Sequence, residues 1–158
     1  MRRKMLIIVA VLVVLFIGLF VANNYKNKQA LDGKENPYGK DDLRQETIDQ
    51  LDDPLYQNQI IPDELDEKLE NGEEVTVYFY SPTCVYCQRT TPVVVPLTEE
   101  LNIDMKKLNL LEFDKMDYYE IEGTPTIVHY ENGEEVARIS GERPEEDFQQ
   151  FFDQYVLN

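Results

Sequence analysis

The chain has 158 residues, 42% of them hydrophobic, with ten tyrosines, seven phenylalanines and two cysteines, which leaves room for one domain with extras and an ample core. Two cysteines three positions apart exclude a framework of structural disulfides, so the fold must hold together by apolar burial. The formal charge of -16 becomes -19 once Arg2, Arg3 and Lys4 are set aside (12 basic against 31 acidic residues), a surface that repels nucleic acid and anionic lipid headgroups.

Met5 to Ala22 is an unbroken apolar run of 18 residues, at the short end of what crosses a hydrocarbon core of about 30 Å as a helix. Three positive charges precede it and the next charge is Lys26, so the positive-inside bias places Met1 in the cytoplasm and the rest outside. The competing reading is a cleaved signal peptide ending at Ala22, but Phe20 is bulky for a small-residue cleavage position. Both readings export the domain. The expected layout is an anchor over 1–22, a polar stalk over 23–58 and a domain over 59–158. Gly33, Pro37, Gly39 and Pro54 break up the stalk, while Leu43, Ile48 and Leu51 suggest one loosely held helix from Asp41 to Leu51.

In the domain, Pro62 suits a first helical position, Asp63 and Glu64 favour the helix dipole, and Gly72 can end a helix over 62–71. Ile61, Leu65 and Leu69 give it one buried side. Val75 to Tyr80 carries no charge and reads as a central strand covered on both faces. A turn at Ser81-Pro82-Thr83 delivers Cys84 to the start of a helix running toward Asn102, which Pro92 and Pro96 should kink or shorten. Met105 to Leu110 suggests a second strand. Thr126 to Tyr130 and Glu135 to Ser140 form a hairpin around Asn132-Gly133. A last helix opens at Pro144 and carries Phe148, Phe151, Phe152, Tyr155 and Val156 at helical spacing. This order predicts an α/β domain, a mixed central sheet flanked by helices, after an N-terminal transmembrane helix.

The chemistry is read from Cys84-Val85-Tyr86-Cys87. A thiolate, not a thiol, attacks a disulfide, and unpaired amides at a helix N-terminus favour the anion. Cys84, just after the strand and turn, is therefore the attacking sulfur, and Cys87, one turn on and deeper, the resolving one. A structural zinc needs four ligands, and only His129 remains to assist. A permanent disulfide closing so short a loop would constrain the unfolded chain little. His129, inside a strand and away from the cysteine end, reads as a strand-surface residue.

The stretch YFYSPTCVYC at 78–87, Pro92, KLN at 107–109, GTPT at 123–126, ENGEEVARISG at 131–141 and the closing helix together resemble the thioredoxin family over about one hundred residues. The resemblance implies a thioredoxin-like fold, with Cys84 and Cys87 as a redox pair that needs no cofactor beyond its own disulfide. It implies that Pro125 is cis and faces the cysteines, with Thr124 offering backbone hydrogen bonds to an extended client. The family's buried aspartate is replaced by Tyr78, while its lysine partner remains as Lys107; Tyr78, water or a carboxylate such as Glu112 would have to move the proton. Lys107 would tune the thiolate or simply be a solvated lysine. Thr83 stands where the family has tryptophan, and Val85-Tyr86 does not settle the direction of exchange. The expected partners are thiols and disulfides of exported proteins, a redox partner in the membrane and the membrane itself. The alternative is a tethered client-binding module whose cysteines are secondary. A metal-delivery role is weaker still.

Overall fold

The computed structural model describes residues 2–31 and 36–157; Met1, Gly33 and Asn158 lie outside the described residues. Helix α1 spans Arg2–Leu31 and is long and apolar enough to cross a membrane, as an anchor or as a signal sequence. Its side chains from Met5 to Val21 stand exposed on all sides, as expected of a segment made for lipid. The helix does not stop at Ala22. Residues 23–31 contain neither proline nor glycine and include Lys26, Lys28, Gln29 and Leu31, all good helix formers, so the last turns continue it.

The expected helix over 41–51 is confined to α2, Gln45–Ile48, followed by a 3-10 turn at Pro54–Tyr56. Residues 36–58 lie against the domain as a strap. Tyr38, Leu43 and Ile48 are buried together, with Leu31, Leu51 and Phe113 packed on them. Asn109, fully buried, donates to the Thr47 hydroxyl at 3.1 Å. Lys40 bonds the Glu112 carbonyl, and the Arg44 amide donates to the Glu112 carboxylate at 2.9 Å.

Helix α3 (Pro62–Glu70) matches its sequence signals, with Leu65 fully buried and Gly72 at φ +69° just beyond its end. Strand β1 (Val75–Tyr80) is buried at every position. It pairs in parallel with β2 (Met105–Asn109) and antiparallel with β3 (Thr126–Glu131), which pairs antiparallel with β4 (Glu134–Ser140). The sheet order is β2-β1-β3-β4. Residues 58–60 pair with Lys107 and cover the β2 edge.

Alternation along β1 builds two cores. Val75, Val77 and Phe79 join Leu65, Leu108, Val128 and Tyr130 on one face. Tyr78 and Tyr80 face the other way, onto α4 (Val85–Glu100) and α5 (Glu145–Tyr155) through Val94, Val95, Phe148 and Phe152. Pro92 and Pro96 do not shorten α4. Both fall on its exposed face, so the carbonyls they leave without amide donors turn to water.

His129 is not on the surface. It is 1% exposed, on the α5-covered face of β3, with Nδ1 2.9 Å from the Thr76 hydroxyl. Lys107 is likewise buried rather than solvated, because residues 57–60 close over β2; its ammonium donates to the Gln57 carbonyl at 2.8 Å.

The hairpin turn has Asn132 at φ 52° and Gly133 at φ +79°, the left-handed pair that a two-residue turn requires. A Cβ on Gly133 would meet the Leu69 carbonyl oxygen at 2.3 Å, since the turn rests on the end of α3. Gly133→Ala should therefore cost about 2–3 kcal/mol, from the backbone angle and the forced separation together. Urea denaturation checks this, and an unchanged midpoint would mean that the turn and α3 part freely.

Candidate functional site

The site forms where β1 ends and α4 begins. Ser81, Pro82 and Thr83 make the turn: the Cys84 amide donates back to the Ser81 carbonyl at 3.1 Å, and Gln88 donates to the Pro82 carbonyl at 2.8 Å. Cys84 thereby becomes the N-cap of α4 in extended backbone, with the Cys87 amide donating to its sulfur at 3.2 Å. An N-cap side chain receives the amides that the first turn leaves unpaired, and a sulfur there receives them best as an anion.

Both cysteines are free, Cys84 partly exposed and Cys87 buried. The same place treats them oppositely. Burial pushes the Cys84 thiol up, but hydrogen bonds with Cys87 and from the backbone amides of Cys87 and Tyr86 outweigh it and bring Cys84 below the ordinary thiol range. Burial, reinforced by the bond with Cys84, pushes Cys87 up to about 12.

Opposite the pair lies the Thr124–Pro125 bond, which is cis. The Pro125 carbonyl accepts from the Gly141 amide at 2.8 Å, and the Cys84 thiol donates to the Thr124 carbonyl at 3.2 Å. Only the neutral thiol makes that last bond, so ionisation of Cys84 releases the Thr124 carbonyl. Beside them runs a groove of about 550 Å³ lined by Tyr86, Glu122, Thr124, Arg138 and Glu142 among others. Val85 and Tyr86 are both exposed, Tyr86 against the groove, and Thr83 is exposed on the turn. Arg89 lies 5.0 Å from the Tyr86 ring centre and forms a two-pronged pair with Glu142, fixing the rim.

Of the residues expected to tune the site, Tyr78 is close and Lys107 is not coupled to it. The Tyr78 phenol, fully buried, sits 3.1 Å from the Thr91 hydroxyl, which donates to the Cys87 carbonyl at 2.8 Å. Burial drives Tyr78 far above the ordinary tyrosine range, so it serves as a hydrogen-bond donor and not as a base. Burial lowers Lys107 to about 8, and the charges acting most strongly on it are Glu99, Asp104 and Lys106, with no cysteine among them. Glu112 is held by the strap through Lys40 and Arg44.

Sequence reasoning missed Thr91, whose hydroxyl joins Tyr78 to the Cys87 carbonyl. Thr91 follows Cys87 by four residues, a helical spacing that placed it one turn below the sulfur. Among the described residues, no group of three His, Cys, Asp or Glu side chains is arranged to hold a metal ion.

The thioredoxin family model matches residues 57–154. A thioredoxin of Chlamydia pneumoniae is 34% identical over 74 residues, covering 46% of this chain and 72% of that protein. Protein disulfide isomerase-like 1-1 of Arabidopsis thaliana is 30% identical over 100 residues, 60% of this chain but only 20% of that protein. Among solved structures, a thioredoxin variant from Halobacterium salinarum superposes with a TM-score of 0.52 at 28% identity, covering 61% of this chain and 86% of its own. Thioredoxin f2 of Chlamydomonas reinhardtii gives 0.55 at 24% identity, over 63% and 96%, a likeness of fold.

Proposed function

The chain belongs to the thioredoxin family, and on that footing we propose that it is a thiol–disulfide oxidoreductase tethered to a membrane, with its domain on the extracytoplasmic side. Cys84 attacks a client disulfide and forms a mixed disulfide; Cys87 then attacks Cys84 and frees the client as a thiol. The clients are thiols and disulfides of exported proteins, bound in extended form along the groove beside Thr124 and Pro125. No cofactor is needed beyond the cysteine pair. The orientation follows from Arg2, Arg3 and Lys4 ahead of the apolar run.

One observation carries this reading: the partly exposed Cys84 sulfur caps α4 and receives the Cys87 amide at 3.2 Å, one helical turn from the buried Cys87, an arrangement that lowers the first thiol and raises the second. The pair is thus divided into a nucleophile that ionises more readily than an ordinary thiol and a reserve that acts only when a disulfide is presented at close range. Alkylation with iodoacetamide tests it. The lowered value for Cys84 means that its thiolate forms, and labelling levels off, at a pH below that of a free cysteine. Cys87 should stay unlabelled until far more alkaline pH. A Cys84 that labels no faster than free cysteine at pH 7 would remove the proposal. The redox potential in glutathione buffers then assigns direction, a strongly negative value marking a reductase supplied across the membrane.

A tethered client-binding module is the second reading, favoured by the groove of about 550 Å³ beside the cysteines. Full biological activity in a Cys84→Ser, Cys87→Ser double variant would leave that reading in place and eliminate obligatory redox chemistry.

A further inference from the structure

The groove beside Thr124 has a chemical bias, which the charges on its walls reveal. Two arginines border it, and each is held by a carboxylate of the same chain. Arg89 grips Glu142 through Nε and Nη2 at 2.9 and 2.6 Å. Arg138 pairs with Glu135 and also donates to the Glu120 carbonyl at 2.6 Å. Arg143, just beyond Glu142, donates to the Ser140 carbonyl at 3.1 Å and stands outside the lining. Glu122 differs. It lines the groove, is exposed, and among the described residues has no hydrogen-bond or ion-pair partner. The lining thus carries a carboxylate that no cation of the chain contacts.

The same rim shows which group such a carboxylate takes. Tyr86 is 57% exposed and lines the groove, and the Arg89 guanidinium lies 5.0 Å from its ring centre. An aromatic face with a carboxylate nearby makes a seat for a cationic side chain. Arg89 already occupies one such seat, formed by Tyr86 and Glu142. Glu122 supplies the carboxylate for a second, on the groove side. Its distance from the sulfur suits a client. Glu122 lies two residues before Thr124, whose carbonyl is 3.2 Å from the Cys84 sulfur. Two residues of backbone span at most about 7 Å, within the length of a lysine or arginine side chain. A client joined to Cys84 and extended past Thr124 therefore brings a residue about two positions from its own cysteine to Glu122. The formal charge of -16 on the whole chain favours the approach of cationic segments in the same sense.

We propose that Glu122 is a specificity-determining residue, and that the clients of this site are disulfides with a lysine or arginine about two residues from the reacting cysteine. The inference rests on the exchange role proposed for the two cysteines and names the class of client that role serves. The client's cation meets the Glu122 carboxylate beside the Tyr86 ring, while an acidic residue in the same place is repelled. The contact is made at the surface, so it sorts clients by rate and does not grip them tightly.

The test uses the full-length reduced protein in detergent and two peptides. Each peptide has one cysteine, joined as a disulfide to an aromatic thiol that is coloured when released. The peptides are uncharged except at the positions two residues to either side of the cysteine, which are lysines in one and glutamates in the other. Cys84 attacks the peptide sulfur, because the aromatic thiolate is the better leaving group. The bond from Cys84 to the peptide forms, the bond to the aromatic sulfur breaks, and the coloured thiolate leaves. The wild type should react about tenfold faster with the lysine peptide. Glu122→Gln should cut that ratio to about threefold, and Glu122→Lys should bring it to about one or below. Glu100→Gln removes the same charge from the far end of α4, more than about 20 Å from Cys84, and should keep the wild-type ratio. A wild-type ratio near one, a ratio unchanged in Glu122→Gln, or an equal fall in Glu100→Gln would each overturn the role of Glu122. A wild type that releases no colour from either peptide would instead remove the exchange role itself.

Discussion

Cys84→Ser abolishes disulfide exchange, lowering turnover by about a thousandfold or more, whereas Cys87→Ala leaves the first attack intact and accumulates a covalent mixed disulfide. The asymmetry follows from where the sulfurs sit. Cys84 caps α4, is reached from solvent, and receives the Cys87 amide at 3.2 Å. Serine in its place has a hydroxyl that does not ionise near neutral pH and cannot displace a thiolate from a disulfide. Cys87 is 1% exposed and meets a disulfide only when Cys84 brings one. Without Cys87 the intermediate has no internal exit and waits for an outside thiol. Non-reducing gels of cells expressing Cys87→Ala read the outcome directly. Conjugates that vanish with dithiothreitol and with Cys84→Ser are the expected result; no conjugate under conditions that trap other exchange proteins would exclude the assignment.

Phe152→Ala costs about 3–5 kcal/mol, a large part of the 5–15 kcal/mol that holds a typical domain folded. Phe152 is fully buried and belongs to the cluster of Tyr78, Tyr80, Val94, Ile127 and Phe148 between the sheet, α4 and α5. The surrounding side chains come from four separate elements, and the two tyrosines are stacked with rings 5.7 Å apart, so the space left by the ring closes poorly. Urea denaturation followed by far-ultraviolet circular dichroism measures the loss. A midpoint within the error of the wild type would show that α5 does not hold this face of the sheet. Because Tyr78 stands in the same cluster, the variant should also speed labelling of Cys87 through transient opening.

The parts of the fold that were legible are those where one period or one turn signal dominates. Six uncharged residues at Val75–Tyr80, Asn132-Gly133 between two strands, and three phenylalanines at helical spacing in α5 each admit a single arrangement. Cys84 was legible for the same reason: a strand, a proline-containing turn and a helix leave the sulfur one place to go. The strap was not. Leu43 and Ile48 suggest a helix that forms for only one turn, and Tyr38 has no periodic partner, so only the tertiary contacts reveal the three as a buried set. Lys107 and His129 misled in another way. Each is polar within a strand, a pattern that points toward water, but residues 57–60 close over one and the far side of the sheet is covered at the other. The two prolines of α4 were expected to interrupt it because proline costs most inside a helix, and their shared solvent-facing side removes much of that penalty.

Helix α1 runs about 13 Å beyond Ala22, at 1.5 Å per residue, before its last residue Leu31. Near its end the Asn27 side chain donates to the Leu43 carbonyl at 3.2 Å and to Asp42 at 3.3 Å. With the apolar stretch in a bilayer, this makes a post and bracket in place of a leash. The face that carries Cys84 is then held at a set altitude and sweeps a thin shell instead of a hemisphere. Confinement of that kind raises the local concentration seen by proteins seated in the same bilayer and gives nothing to those adrift in the surrounding fluid. Under the proposed exchange role, such a geometry would favour disulfides displayed within a few nanometres of the lipid.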